Sequence, residues 1–467
     1  MIYLMSCEFL QLIFLVKGDN IMENFKENKM GVMPIGRLIL TMSVPIMISM
    51  LIQALYNIVD SMYVAMISEE ALTAVSIAFP YQNLMIAVAT GTGVGVNSLL
   101  SRNLGERDFM SANKTANISL TIALIISALF ALLGFVIIKP FLSFQTENPV
   151  IFSEAKSYLL IVSTFSFGLF GQIATERLLQ ATGKTVYSMI TQALGAIINI
   201  ILDPIMIFTF KMGIAGAAYA TVIAQIIATL TGILLNIHIN KELTLSVKLM
   251  KIDFDIVKKI YVVGIPSIVM GSIGSVMTFC INKILVSFTE TAVAVFGAYF
   301  KLQSFIFMPV FGLNNGIVPI MAYNLGAQKT DRIKKTIKLS MIYATSFMLL
   351  GFIVFQTIPH VLLGNLFNAS AKMLSIGIPA LKIISIAFIF AGICIVTISV
   401  FQAVGKGMYS LYVSVARQLV VLIPCAYLLS LTSSLNLIWL SFPIAEIVSL
   451  AVCMIYLKRV YKKIFTN

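Results

Sequence analysis

Two aspartates stand where hydrocarbon is expected. Asp60 lies in "LIQALYNIVDSMYVA" (Leu51 to Ala65), inside a run from Leu38 to Ser68 with no other Asp, Glu, Lys or Arg, and Asp203 lies in "NIILDPIMIF". A carboxylate at such a depth is costly and usually functional. Counting back from the outer ends, Asp60 is nine residues before Glu69 and Asp203 eight before Lys211, while Thr221 is eight after Gly213. At the rise of an α-helix all three lie about 12 Å below the surface, in one layer. Tyr56 and Asn199 each precede their aspartate by four residues and share its helical face, which Gln53 and Gln192 extend. Two acids in a low-dielectric layer cannot both be ionised at low cost, so a proton is expected between them. The oxygens of Asp60, Asn199, Asp203 and Thr221 would equally suit sodium, a hard cation. The competing reading is structural, with the aspartates tying helices together through Asn199 and Tyr56. Pro204, directly after Asp203, frees a carbonyl one turn back and permits a bend there.

The elements that carry this layer are membrane spans. Of 467 residues 59% are hydrophobic and 11% charged, against about a quarter charged in soluble chains. Twelve apolar runs are each long enough to cross a bilayer: about 38–67, 71–101, 114–138, 156–182, 186–210, 214–239, 257–288, 291–323, 336–359, 375–404, 408–431 and 435–457. The formal charge of +13 does not indicate a nucleic-acid partner, because most of the 32 Lys and Arg fall in the short connections on one side of the membrane. That bias assigns both termini to the cytoplasm, and the expected location is the bacterial cell membrane, as a multi-pass protein with lipid as its surroundings. Residues 1–21 lack the basic start and cleavage site of a signal peptide. Lys17-Gly18-Asp19 is encodable by a ribosome-binding sequence, so translation from Met22 is expected.

The chain repeats itself. A shift of 221 residues places Pro45 on Pro266, Glu69 on Glu290, Phe79 on Phe300, Gln82 on Gln303, Gly95 on Gly316 and Leu104-Gly105 on Leu325-Gly326. One further residue of slip aligns "QATGKTVYS" with "QAVGKGMYS". Six spans per copy give two parallel lobes around a central cavity, the plan of many secondary transporters. The expected organisation is an N-terminal segment 1–33, a first lobe 34–239, a linker 240–256, a second lobe 257–457 and a basic tail 458–467, all-α throughout, and a monomer.

The second lobe does not repeat the acidic seam: Ile281 takes the place of Asp60, and Lys283, Lys301 and Lys382 enter from the outer side with Glu446 in the last span. These lysines are expected to snorkel outward or pair with Glu446, or else to form a basic wall opposite the acidic one. Gln82, Gln303, Gln53, Gln192, Lys283, Lys301 and Glu446 are candidates for the substrate cavity. Glu176-Arg177 reads as a local ion pair at a cytoplasmic gate, with Glu176 a further titrating candidate. "GTGVGVN" follows no strand, so it is helix packing rather than a nucleotide loop. The five cysteines are scattered singly, and His238 and His360 sit at helix ends, so no catalytic constellation or cofactor site is expected.

"SVPIMISMLIQALYNIVDSMYVA", "NLGERD" with its echo "NLGAQKTDR", "RLLQATGK" with "VFQAVGK", and "NIILDPIMIF" together resemble the multidrug and toxic compound extrusion (MATE) family from about Pro34 onward. The match is nearest its prokaryotic DinF-like branch. The resemblance implies a two-lobed fold and an antiporter that exports small organic, often cationic and amphipathic compounds against inward proton or sodium flow. It assigns Asp60, Asn199 and Asp203, supported by Tyr56 and Thr221, to ion coupling. Glu176 stands where relatives have Asn. The alternative in the same superfamily is a flippase for a lipid-linked saccharide, whose cavity would be dominated by Arg and Lys.

Overall fold

A computed structural model describes residues 27–367 and 369–465; the Met22 expectation and Cys7 lie outside them. Among the described residues twelve spans are present if one bent pair counts as a single crossing. They are α1 Ile35–Ala65, α2 Glu69–Gly105, α3 Phe109–Ser143, α4 in two arms (Pro149–Thr164 and Phe167–Ala181, 47° apart), α5 Thr185–Thr209 and α6 Gly213–His238. The second lobe follows with α7 Phe254–Val286, α8 Glu290–Gly326, α9 Thr330–Thr357, α10 Ala371–Ala403, α11 Gly407–Ser430 and α12 Leu435–Lys462. The long helices overrun the apolar runs by several residues because polar caps extend them: Ser68 Oγ accepts from Ala71 N–H, Asp108 Oδ1 from Ser111 N–H and Ser370 Oγ from Met373 N–H. After Pro204, α5 continues as a π-helical turn over Ile205–Thr209, and α11 has the equivalent over Ala416–Leu422, just before Pro424.

The repeat is visible in the backbone. Arg107 and Gln328, at matching turns, take φ of 58° and 55°, and Gly183 and Gly405, the glycines of the two Gly-Lys motifs, take 83° and 74°. Glycine suits these last positions because a Cβ is strained in the left-handed region.

Glycines also join the lobes. Gly91 and Gly95 of α2 lie on Ile268 and Gly264 of α7, and Gly312 and Gly316 of α8 lie on Met47 and Ser43 of α1, each contact the repeat image of the other. At the ends of α2 and α8 the glycines meet backbone: a Cβ on Gly105 would fall 2.0 Å from the Tyr323 carbonyl oxygen, and one on Gly326 2.2 Å from that of Arg102. The small-xxx-small spacing lets backbones approach where lipid offers no hydrophobic drive. All these contacts lie in one half of the bundle, called inner after the charge bias. In the outer half the same helix faces are exposed, as at Ile58 (48%), Pro80 and Phe279 (68%). The lobes therefore close at the inner end and splay into a cleft at the outer end.

A strap of residues 27–33 crosses the closed end. Asn28 Nδ2 donates to the Thr182 carbonyl at 3.0 Å and to Glu242 Oε2 at 2.7 Å. On the other lobe Arg332 Nη2 donates to the Met33 carbonyl at 2.7 Å, Asn324 Nδ2 donates to that of Met30 at 3.0 Å, and Lys329 pairs with Glu27.

Candidate functional site

The buried polar layer is built from three helices of the first lobe. On α5, Asn199 and Asp203 are 3% and 0% exposed. Four-residue spacing stacks them, and Asn199 Nδ2 donates to Asp203 Oδ1 at 3.2 Å. The same amide reaches Thr221 Oγ1 on α6 at 3.4 Å. From α1, the Asp60 carboxyl faces that of Asp203, and Tyr56 lies one turn deeper against Asp60 with Gln53 at its hydroxyl. Three acceptor oxygens in this layer, Asp60 Oδ1, Asp203 Oδ2 and Asn199 Oδ1, are buried without a hydrogen-bond donor. A buried acceptor left unpaired is expensive. The arrangement is chemically a receptor for something positive, and α1 separates it from the cleft.

Tyr158, from the first arm of α4, also belongs to this layer although no sequence signal pointed to it. Its hydroxyl accepts a hydrogen bond from Gln82 Nε2 at 3.1 Å, and it faces Asp60 and Tyr56. The first arm of α4 begins at Pro149, so Tyr158 is nine residues inside the outer end, at the depth of Asp60; the apolar run, read from about 156, starts too late to show this. Gln192 is joined instead to a deeper group: Gln172 Nε2 donates to Glu176 Oε1 at 3.0 Å and to Gln192 Oε1 at 3.3 Å.

Glu176 and Arg177 do not form the expected ion pair. Successive helix residues point about 100° apart, so Glu176 turns into the first lobe while Arg177 Nη1 crosses to Asn315 Oδ1 of α8 at 3.2 Å and holds Gln180 Oε1 at 2.9 Å. Arg177 is thus a link between lobes at the closed end.

In the second lobe Glu446 pairs with Arg417 of α11 at 2.9 Å and with none of the three lysines. Arg417 is the sole charged residue of its span, so the rule that found Asp60 finds it too. Lys283, Lys301 and Lys382 are exposed, and none pairs with a carboxylate among the described residues. Gln303 sits on α8, in the lobe opposite the acidic layer. Cys394 and Cys453 are buried, Cys280 and Cys425 partly so. Among the described residues no cluster of three His, Cys, Asp or Glu could hold a metal; any sodium ion would rely on amide and hydroxyl oxygens beside the two carboxylates.

The MatE family model matches residues 45–205 and 266–428, one match per lobe. Over 423 residues the chain is 28% identical to the multidrug export protein MepA of Staphylococcus haemolyticus, covering 89% of this chain and 92% of that one. A FAD transporter of Shewanella oneidensis is 27% identical over 91% of this chain and 95% of its own. Among solved structures, the outward-facing conformation of a multidrug resistance MATE family transporter of the MOP superfamily superposes with a TM-score of 0.88 at 24% identity, covering 95% of this chain and all of that one.

Proposed function

Because this chain belongs to the MatE family, a family of membrane transporters rather than enzymes, we propose that it is a multidrug efflux antiporter exporting amphipathic organic compounds in exchange for a proton or a sodium ion. Export of more than one compound is supported by the similarity to MepA, and cation coupling by the acidic layer. The observation that carries the coupling is the trio of donorless oxygens on Asp60, Asp203 and Asn199. A proton on either carboxyl lets one aspartate donate to the other, and sodium among the three oxygens with Thr221 would meet them all. In the conformation described, the inner end is shut by backbone contacts and the outer cleft is open, so compound leaves and the cation enters from the same side. Because α1 stands between the layer and the cleft, cation uptake reshapes the wall that the compound has just left. Exchange requires the cation and the compound to favour different conformations; equal affinity for both would shift nothing.

The test is dye transport in proteoliposomes under an imposed pH gradient or an imposed sodium gradient. One gradient drives transport in the wild type, and Asp60→Asn and Asp203→Asn each abolish it while the protein stays in the membrane. Transport undiminished in both variants would leave the layer structural.

A further inference from the structure

The outer half of the cleft is walled by α1, α2, α7 and α8, and the glycine contacts of the inner half fix their register. Antiparallel α1 and α8 meet at Ser43 with Gly316 and at Met47 with Gly312, and α2 and α7 meet at Gly91 with Ile268. Eleven residues further out on each helix, Ile58 stands across from Lys301, and Pro80 across from Phe279. All four are exposed. On α8 the exposed stripe Ala294, Gly297, Lys301 and Phe305 runs at three- and four-residue steps toward Gly312 and Gly316, so Lys301 projects from the face that meets α1.

Lys301 is eleven residues inside the outer end of α8, about 16 Å down. An ammonium so deep is costly in lipid but stable in a water-filled cleft. No carboxylate of the described residues pairs with it. Asp60 is two residues past Ile58, some 200° around α1, and faces Asp203 instead. This level of the wall is therefore three apolar side chains and one free ammonium, with Phe305 one turn deeper on α8, 53% exposed. When the outer end closes, Ile58 approaches Lys301 and strips water from a cation with no partner. An acidic group on the transported compound would remove that penalty.

We propose that Lys301 is the docking point for an acidic group of the cargo. The exported compounds are aromatic amphiphiles bearing a carboxylate, phosphate or sulfonate, as zwitterions or anions. This inference rests on the export reading and departs from the cations implied by family resemblance.

The test is equilibrium binding, by fluorescence anisotropy in nanodiscs, of tetramethylrhodamine and its methyl ester, which differ by one carboxylate. The wild type binds the acid about tenfold more tightly, as a charge-assisted hydrogen bond supplies. Lys301→Met weakens the acid to the level of the ester and leaves the ester unchanged, and Lys301→Arg keeps the preference. The proposal is overturned if the wild type binds the ester as tightly as the acid, if neither binds, or if Lys301→Met weakens both alike. A Lys301-dependent preference without gradient-driven dye transport would overturn the export reading and not the subsite. Transport without the preference would do the reverse.

Discussion

Adding one methyl group at Gly105 is expected to open the inner end of the protein. The Cβ of an alanine there would fall 2.0 Å from the Tyr323 oxygen and 2.8 Å from its carbonyl carbon. Carbon–oxygen contacts settle near about 3.3 Å, so the ends of α2 and α8 must part by roughly 1.3 Å. The obstacle is backbone and cannot rotate aside. Overpacking of this kind costs on the order of 1–3 kcal/mol, and only in the conformation that brings the lobes together at this end. A cost of about 2 kcal/mol shifts the balance between inner-closed and inner-open forms by roughly 30-fold. Gly326→Ala, facing the Arg102 oxygen at 2.2 Å, adds a second cost of similar size. The assay is double electron–electron resonance between spin labels at Met110 and Asp331, exposed positions at the inner ends of α3 and α9, in a chain whose native cysteines are replaced. The distance distribution lengthens in Gly105→Ala and further in the double variant. Gly297→Ala, with no atom within 4 Å of its added Cβ, leaves it unchanged. An unaltered distribution in a folded double variant would refute the claim that these glycines hold the inner end shut.

Three further outcomes follow from the same contacts. Asp203→Asn cuts gradient-driven dye transport by at least tenfold while equilibrium dye binding stays within about threefold, because the layer lies behind α1; equal losses in both would place Asp203 in the substrate site instead. Glu446→Gln alone strands the largely buried Arg417 and destabilises the fold by on the order of 3 kcal/mol, read as a lower thermal unfolding midpoint, while Arg417→Met with Glu446→Gln recovers most of it; a double variant no better than the single would argue against the pair. Burial holds the Glu242 carboxyl above its ordinary value of 4.5 against the opposing pull of Asn28, Lys184 and Lys29. A raised folded-state value means the contribution of Glu242 is greatest in acid and is lost as pH rises through it. The stability difference between wild type and Glu242→Gln should therefore fall as pH rises above the ordinary value of 4.5, and a flat difference would sink this account.

The acidic layer was legible because helix rise is constant: residues counted from the outer ends of three spans place Asp60, Asp203 and Thr221 at one depth without knowledge of packing. Tyr158 was not, because the polar start of α4 hides where the helix begins: the apolar run reads from about 156, whereas the helix starts at Pro149, nine residues before Tyr158. Glu176 and Arg177 were paired by adjacency, although neighbours on a helix point apart and each found a partner on a different element. The repeat aligned Gly95 with Gly316 and Gly105 with Gly326, yet an alignment of equivalent positions does not say that they face the other lobe. That depends on how the lobes dock. The lysines of the second lobe were recognised as intramembrane charges, but their freedom depended on Arg417 having already taken Glu446.

The glycine contacts also bear on ancestry. Gly91 on Ile268 reappears as Gly312 on Met47, and Gly105 on Tyr323 as Gly326 on Arg102, with the roles of the two lobes exchanged. An interface in which each patch meets its own image is isologous, the geometry of a twofold homodimer. A single six-helix half thus carries every surface that this junction needs, and an ancestor could assemble as a pair before gene fusion. The linker agrees with that history. It docks on α3 through Asn113, Asn117 and Thr121 and on the strap through Glu242, so fusion raised the local concentration of the second half without setting its orientation. Fusion also released the two halves from identity, and one kept a pair of acids while the other acquired an unpaired lysine in the shared cleft.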